Sequence, residues 1–365
     1  MVKAEAFQRR LAGLRASFRA PLIDGLLVSH LPNIRYLTGF TGTKARLLVT
    51  EEAALLAVDA RYRQQAKEEA PHCQILSERE EALRDAIVQA KLKRLGFESG
   101  YLSFYEHGRL EFLLPSSIKL VPSGGETEAL RLIKDEGEIA ALRMAARYSS
   151  ESVEAVLTQL QPGIRECEIA ARLEYAFRSR SGEAPSFSTL VAAGPRSAQI
   201  HAFPTRRTVD PGEPLLIDAG ATFEGYHADL SRSLTLGYPK KRFKAVQQAV
   251  QEALDEVIQA IRPGLMIREL DEIARKVLRR HQLETAFPHG LGHGVGLEIH
   301  EAPWIDGEEL GVLQAGMAIA VEPGVYFDGW GGIRQEETIL VTEHGAEVLT
   351  QSLGQPRVSS MLLWE

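Results

Sequence analysis

Cysteine is nearly absent from this 365-residue sequence: only Cys73 and Cys167 are present, in different regions. That excludes a disulfide framework and a thiolate metal site, and it fits a reducing cytoplasm. Long hydrophobic runs are missing too. No window of 18 apolar residues occurs, and the opening Met-Val-Lys-Ala-Glu-Ala-Phe-Gln-Arg-Arg has no apolar core of the kind a signal peptide requires, so neither a membrane span nor membrane binding is expected. Positive charge is in deficit, with 42 Lys+Arg against 49 Asp+Glu and a net charge of −7, whereas a nucleic-acid partner would call for a basic face. What remains, 44% hydrophobic and 25% charged, describes a soluble globular protein too long for one ordinary core and suited to two domains.

Along the chain, Phe7, Leu11, Leu14 and Phe18 recur at helical spacing, and Gly25 to Ser29, Ala45 to Thr50 and Ala54 to Val58 read as strands, with a helix over about 60 to 69. The mixture runs to Leu120-Val121, giving an α/β domain over 1–124 that ends at the linker-like cluster Pro122-Ser123-Gly124-Gly125. A second domain over 125–365 opens with one long helix, expected from Thr127 to about Leu160. Two internal echoes follow. Val156-Leu157-Thr158-Gln159-Leu160-Gln161-Pro162-Gly163 returns as Val257-Ile258-Gln259-Ala260-Ile261-Arg262-Pro263-Gly264 at an offset of 101, each followed by a helical stretch, about 165 to 181 and 267 to 281. Gly212 is followed six residues on by Asp218, which ends an apolar run and precedes Gly220 by two; Gly316, Glu322 and Gly324 repeat this 104 positions later. Two α/β halves related by a pseudo-two-fold axis are predicted, with their acids meeting at that axis.

A second acid follows each leading one, Asp229 after eleven residues and Glu336 after fourteen, and His293 lies between the copies. Gathered without counter-charge, four carboxylates would repel until some were protonated; two divalent cations remove the problem. The donors are oxygen and nitrogen without sulfur, which suits manganese, cobalt, zinc or iron, and the chemistry implied is metal-assisted hydrolysis. Amide cleavage also needs a donor for the developing oxyanion and an acid for the leaving nitrogen, and His201 and His300 are the candidates. Arg334 is placed to orient a ligand carboxylate; Tyr326 either serves the site or belongs to the core. His30, His72, His107, His281 and His344 sit singly among polar residues and read as surface. The glycines of the run His289 to Glu301 imply backbone that must come close to something. A phosphate-cradling loop is excluded by context, since no strand-turn-helix unit surrounds the run.

These residues resemble the pita-bread metallopeptidases: aminopeptidase P, prolidase and methionine aminopeptidase. The resemblance runs through Ile217-Asp218-Ala219-Gly220, Gly225-Tyr226 and Asp229, His289 to Glu301, Val321-Glu322-Pro323-Gly324-Val325-Tyr326, and Gly332-Ile333-Arg334-Gln335-Glu336, and it covers about 125 to 350. Upstream, Asn33-Ile34-Arg35-Tyr36-Leu37-Thr38-Gly39-Phe40-Thr41-Gly42 looks like the start of a creatinase-type N-terminal domain. The resemblance implies a mixed α/β chain in which a creatinase-type domain precedes a pita-bread catalytic domain. It implies Asp218 on one metal ion, His293 with Glu322 on the other, and Asp229 and Glu336 bridging. Glu322 would also manage the proton of the attacking hydroxide, and His201, His289 and His300 would line the substrate site, with Tyr326 as a further substrate contact and Arg334 as a catalytic cation. The ions would be manganese, with cobalt or zinc as alternatives, and the assembly a cytoplasmic homodimer.

The N-terminal domain argues against methionine aminopeptidase and for cleavage beside proline, whose tertiary amide needs a site of its own. The resemblance therefore implies an Xaa-Pro aminopeptidase acting on proline-containing peptides. Phe40-Thr41-Gly42-Thr43-Lys44 runs straight into a strand, without the insertion associated with short bacterial dipeptidases; an Xaa-Pro dipeptidase is the alternative. A metal-free binding protein of the same fold is a third reading, and all five ligands being present speaks against it. Ala228 and Ser231 stand where the family shows Ser and Thr, Arg206 where it shows Asp, and Glu337 where it shows Asp. These departures bear on the surroundings of the site.

Overall fold

The short apolar runs of the first third of the chain pair into one six-stranded sheet. In the computed structural model, which describes residues 2–19 and 22–350, the chain divides into two compact units, Met1–Arg131 and Leu132–Glu365. In the first unit, β1 (Gly25–Val28), β2 (Arg46–Thr50), β3 (Ala54–Val58), β4 (Gln74–Ser77), β5 (Arg94–Glu98) and β6 (Lys119–Ser123) take the order β4-β3-β2-β1-β5-β6. The β1–β2 and β2–β3 pairs are antiparallel and the others parallel. β1 is buried throughout, as its uninterrupted Leu26-Leu27-Val28 requires of a central strand. Helices α1 (Val2–Ser17), α2 (Leu31–Thr38), α3 (Arg63–Glu69), α4 (Glu80–Gln89), α5 (Phe104–Leu113) and α6 (Glu126–Arg131) complete the unit.

Asn33, which opens the creatinase-like motif, is a buried hub of this unit. Its Nδ2 donates to Glu98 Oε1 and to Glu128 Oε1, both at 2.7 Å, and its Oδ1 accepts from Arg131 Nη1 at 2.7 Å. Glu98 also accepts the amides of Ser29 and His30 at 2.7 and 2.8 Å at the start of α2. Because these bonds tie α6 to α2 and β5, the compact unit ends at Arg131, whereas the boundary expected after Gly124 falls just beyond β6.

The single helix expected over 127 to about 160 is instead two, α6 and α7 (Glu136–Leu157). Asp135 forces the break: its side chain accepts the amides of Gly137 and Glu138 at 3.0 and 3.1 Å, while Glu138 Oε2 accepts the Asp135 amide at 3.0 Å. This reciprocal capping box was legible as Asp135-Glu136-Gly137-Glu138 and outweighs the continuous helical composition.

The second unit is built twice. α7 and α8 (Glu166–Ser181) precede β7 (Leu190–Ala193), β8 (Leu215–Ala219), the short pair β9 (Thr222–Phe223) and β10 (Tyr226–His227), and β11 (Leu230–Leu234). α9 (Lys241–Ala260) and α10 (Ile267–Arg280) precede β12 (Gly292–Gly294), β13 (Glu301–Ile305), β14 (Ala318–Val321), the pair β15 (Gly324–Phe327) and β16 (Gly331–Arg334), β17 (Glu337–Thr342) and β18 (Gly345–Val348). The sheets run β11-β8-β7 and β13-β12-β14-β17-β18, antiparallel throughout. The equivalence extends to single bonds. Gly163 and Gly264, at φ 90° and 85°, donate to Val209 O and Leu313 O, each at 2.8 Å. Gly212 and Gly316, at φ 73° and 91°, donate to Leu236 O and Val341 O, each at 2.8 Å. Each half buries its own cluster, around Phe177, Val191 and Ile217 in the first and Phe287, Ile319 and Ile339 in the second.

Three of the five histidines expected at the surface are half-buried, because flat imidazoles find aromatic partners. His30 stacks on Tyr101 at 3.6 Å between centroids, His72 on Phe7 at 5.2 Å, and His107 lies 5.1 Å from Phe97. His281 and His344 are exposed. No helix among the described residues is long and apolar enough to cross a membrane.

The glycines around His293 have a close neighbour, and it is the sheet itself. A Cβ on Gly292 would lie 2.0 Å from Ala320 O, and one on Gly294 2.1 Å from Ala302 O. Gly292→Ala is therefore expected to force β12 off β14 and lower Tm by about 5 °C or more, the scale of an overpacked core. A calorimetric scan with unchanged Tm would contradict this reading of the glycine run.

Candidate metal centre

The apolar run Leu215-Leu216-Ile217 makes β8 a fully buried strand, and Asp218 stands on it at the point where the chain leaves for the β9–β10 pair and returns through Asp229 into β11. In the second half Glu322 leaves β14 for the β15–β16 pair, and Glu336 returns into β17. Both acids of each half thus flank an inserted hairpin. β12 supplies His293, placed by its pairing with β14 on one side and β13 on the other. The result is convergence: ligand atoms of Asp229, His293 and Glu336 lie within 4.8 Å of one another. Glu322 Oε1 is 3.8 Å from His293 Nε2, and Asp229 Oδ2 is 3.7 Å from the same nitrogen. Asp218 joins through Arg334, whose Nη2 donates to its Oδ2 at 2.6 Å.

Arg334 is 1% exposed and, among the described residues, is the single guanidinium set among these acids. Besides Asp218 it donates from Nε to Ser231 Oγ at 2.8 Å and from Nη1 to the Tyr326 hydroxyl at 2.9 Å. Ser231 Oγ in turn donates to Glu336 Oε2 at 2.7 Å, and Ser233 Oγ both accepts the Arg334 amide and donates to the Arg334 carbonyl at 3.0 Å. Ser231 and Ser233 are working residues not among those expected at the site. Their signal was available: Asp229, Ser231 and Ser233 alternate along a strand and so share one face. Thr338 was likewise missed; its Oγ1 accepts the Asp229 amide at 2.9 Å and donates to the Asp229 carbonyl at 2.8 Å.

One guanidinium does not balance four carboxylates. Burial first, and then the neighbouring Glu336, Asp218 and Glu322, hold Asp229 well above the ordinary carboxylate range. Glu336 is raised by burial and by Glu322 and Asp218, and Glu322 is pushed by burial to about 7. Three inward carboxylate oxygens, Asp218 Oδ1, Asp229 Oδ1 and Glu336 Oε1, are buried without a hydrogen-bond partner. Acceptors left bare in this way cost free energy unless something positive meets them. Divalent cations fit that demand in charge and in donor type: one leaves the cluster with residual negative charge, and two overcome it.

The imidazoles are set for their places. His293 is pulled by burial to about 4 and is neutral at physiological pH; its Nδ1 donates to Gly294 O at 2.9 Å, which leaves the Nε2 lone pair facing the acids. His289, lowered to about 4 by burial, donates from Nδ1 to Gly290 O at 2.8 Å. Its Nε2 therefore accepts from the Tyr326 hydroxyl, 3.1 Å away, and that hydroxyl accepts from Arg334. Burial raises Tyr326 to about 12, so it stays protonated. His289 and Tyr326 thus spend their polar atoms on holding Arg334. His300 is exposed, packs edge-on against His293 with centroids 4.3 Å apart, and has the half-exposed Trp304 at 6.4 Å. His201 is exposed on an irregular segment near His289 and His300.

Of the departures noted in sequence, Ser231 performs the double hydrogen bonding just described. Glu337 pairs with Arg232 at 2.9 Å and accepts from Thr350 Oγ1, Ala228 packs against Ala145 and Ala146 of α7, and Arg206 is exposed.

Residues 140–343 match the model of metallopeptidase family M24, and residues 10–133 match that of the creatinase/prolidase N-terminal domain. The chain belongs to metallopeptidase family M24. An Xaa-Pro dipeptidase of Pyrococcus horikoshii is 33% identical over 90% of this chain and 93% of its own. Among solved structures, an Xaa-Pro dipeptidase from Bacillus anthracis superposes with a TM-score of 0.92 at 33% identity, covering 96% of this chain and 99% of its own. An X-Pro aminopeptidase from Thermotoga maritima gives 0.86 at 33% identity, over 93% and 98%. Family membership and the pita-bread fold of these neighbours agree with the duplicated unit described above.

In protein stripped of metal, Glu322 carries a folded-state pKa near 7 against an ordinary 4.5. A raised carboxylate favours folding while protonated, so its contribution is lost as pH climbs from the unfolded value through the folded one. The Tm difference between metal-loaded and chelated protein is therefore expected to widen as pH rises from about 4.5 to 7.5. A difference that stays constant across this range would contradict the electrostatic account.

Proposed function

We propose that this M24 metallopeptidase is an Xaa-Pro aminopeptidase, releasing an N-terminal residue that precedes proline. The observation that carries the hydrolytic reading is the set of three bare carboxylate oxygens converging beside a neutral His293. Proline specificity is supported by the Xaa-Pro activities for which the Pyrococcus, Bacillus and Thermotoga proteins are named. Asp218 would hold one ion and His293 with Glu322 the other, with Asp229 and Glu336 shared. Manganese suits the oxygen and nitrogen donors, as do cobalt and zinc. When bound, the two ions supply an activated water and a polarised carbonyl.

The remaining steps fall to the chain's own residues. Glu322 is the most accessible ligand, its side chain 21% exposed against 12% for Asp218, 7% for Asp229 and 5% for His293. It takes the proton of the attacking water and returns it to the proline nitrogen, which must be protonated to leave. His300, exposed and packed on His293, and His201, exposed near His289 and His300, offer N–H donors to the oxyanion of the tetrahedral intermediate. Arg334 fixes Asp218, and Ser231 fixes Glu336, so that neither ligand swings when charge develops.

A second reading, Xaa-Pro dipeptidase, is favoured by the activity for which the Pyrococcus and Bacillus relatives are named. The straight run of Phe40-Thr41-Gly42-Thr43-Lys44 into β2 favours the aminopeptidase. Metal-loaded protein is expected to release the first residue from Xaa-Pro-Yaa tripeptides as well as from longer peptides. Cleavage of Xaa-Pro alone, followed by amino-acid analysis, would establish the dipeptidase instead.

A further inference from the structure

Glu166 is a fully buried acid that the metal centre does not use. It stands at the first turn of α8, and four donors from three places in the chain converge on its carboxylate. Oε1 accepts the Ala193 amide at 2.9 Å; Oε2 accepts the Thr205 amide at 2.9 Å, the Thr205 hydroxyl at 2.6 Å, and Arg196 Nη1. Arg196 extends the network, donating from Nη2 to Phe203 O at 2.8 Å. Three of these bonds, from the Thr205 amide, the Thr205 hydroxyl and Arg196 to Phe203 O, close on the irregular segment 199–207, which carries His201.

That segment has no ladder or helix of its own: its other ties are the Cys167 and Glu166 amides, which donate to Thr205 O and Arg207 O at 3.0 Å from the same turn of α8, and the small buried Ala202, while its large apolar side chain, Phe203, is 64% exposed. Ordering such backbone costs conformational entropy at every residue, and hydrogen bonds to charged groups offset more of that cost than neutral ones do. On the other side of His201, Arg334 Nη1 reaches Ile200 O at 3.4 Å. His201 is therefore bracketed, by Arg334 from the metal centre at Ile200 and by the Glu166–Arg196 pair at Phe203 and Thr205.

We infer that Glu166 is a positioning residue for the hydrolysis: through Thr205 and Arg196 it holds the 199–207 segment so that the His201 imidazole faces the reacting carbonyl. The inference rests on the role given to His201 in the proposed function. Glutamine at this position keeps the volume but replaces one acceptor oxygen with a donor where four donors already converge. A displacement of about 1 Å in a group acting on the transition state can cost up to about a hundredfold in rate.

The test is a double-mutant cycle on the full-length, metal-loaded protein with an Xaa-Pro-Yaa substrate, alongside metal content by mass spectrometry and amide exchange over 199–207. E166Q is expected to lower kcat about 10- to 100-fold with KM changed less than about threefold. Metal content should be unchanged and exchange at 199–207 faster. In an H201A background E166Q should then cost less than about twofold, since the group it positions is gone. The same full loss in both backgrounds, or an unchanged kcat in E166Q, overturns the inference. If E166Q does not fold, T205V, which deletes one of the four donors at a solvent-exposed residue, takes its place in the same cycle. Wild-type protein without Xaa-Pro activity, or H201A with undiminished kcat, would strike at the proposed function itself and remove the basis of this inference with it.

Discussion

Four carboxylates held within reach of one guanidinium set the terms for the second unit. In water such a cluster would disperse; here burial keeps it together and raises Asp229, Glu322 and Glu336 above their ordinary range. Arg334 is wholly committed, bonded to Asp218, Ser231 and Tyr326, and cannot move to answer charge elsewhere. The rest of the neighbourhood is arranged around that commitment. Tyr326 is held by His289, and Gly324 leaves room for it, since a Cβ there would lie 2.5 Å from the hydroxyl. Positive charge brought by metal ions is the remaining requirement of the cluster.

Duplication explains how a chain can afford such a concentration of charge. Each half contributes a pair of acids around an inserted hairpin, on a sheet stabilised by its own apolar cluster. The repulsion is thus borne by two independent cores, and cross-links such as Ser231 to Glu336 and Ser233 to Arg334 tie one half to the other at the point of strain. His293 enters from the extra strand region of the second half, so the centre is asymmetric although its frame is not.

Much of this was legible in the sequence, and the reasons differ by element. The Pro-Gly and Gly-acid echoes were readable because positive-φ turns tolerate few residues, and Gly163, Gly264, Gly212 and Gly316 adopt that conformation. The break before α7 is hidden by the helical composition that continues across it, and only the reciprocal capping of Asp135 and Glu138 marks it. The half-burial of His30 and His72 was not legible, since their partners Tyr101 and Phe7 lie 71 and 65 residues away in the sequence. Ser231 was noticed only as a departure; its use by both Arg334 and Glu336 depends on a cross-half contact that local pattern does not encode.

The central claim, that the five converging side chains hold two divalent ions, is tested most directly by anomalous diffraction from crystals of the manganese-loaded protein. The account predicts two anomalous peaks, one against Asp218 and one against His293 and Glu322, both in contact with Asp229 and Glu336. A single peak, or density away from these carboxylates, would contradict it.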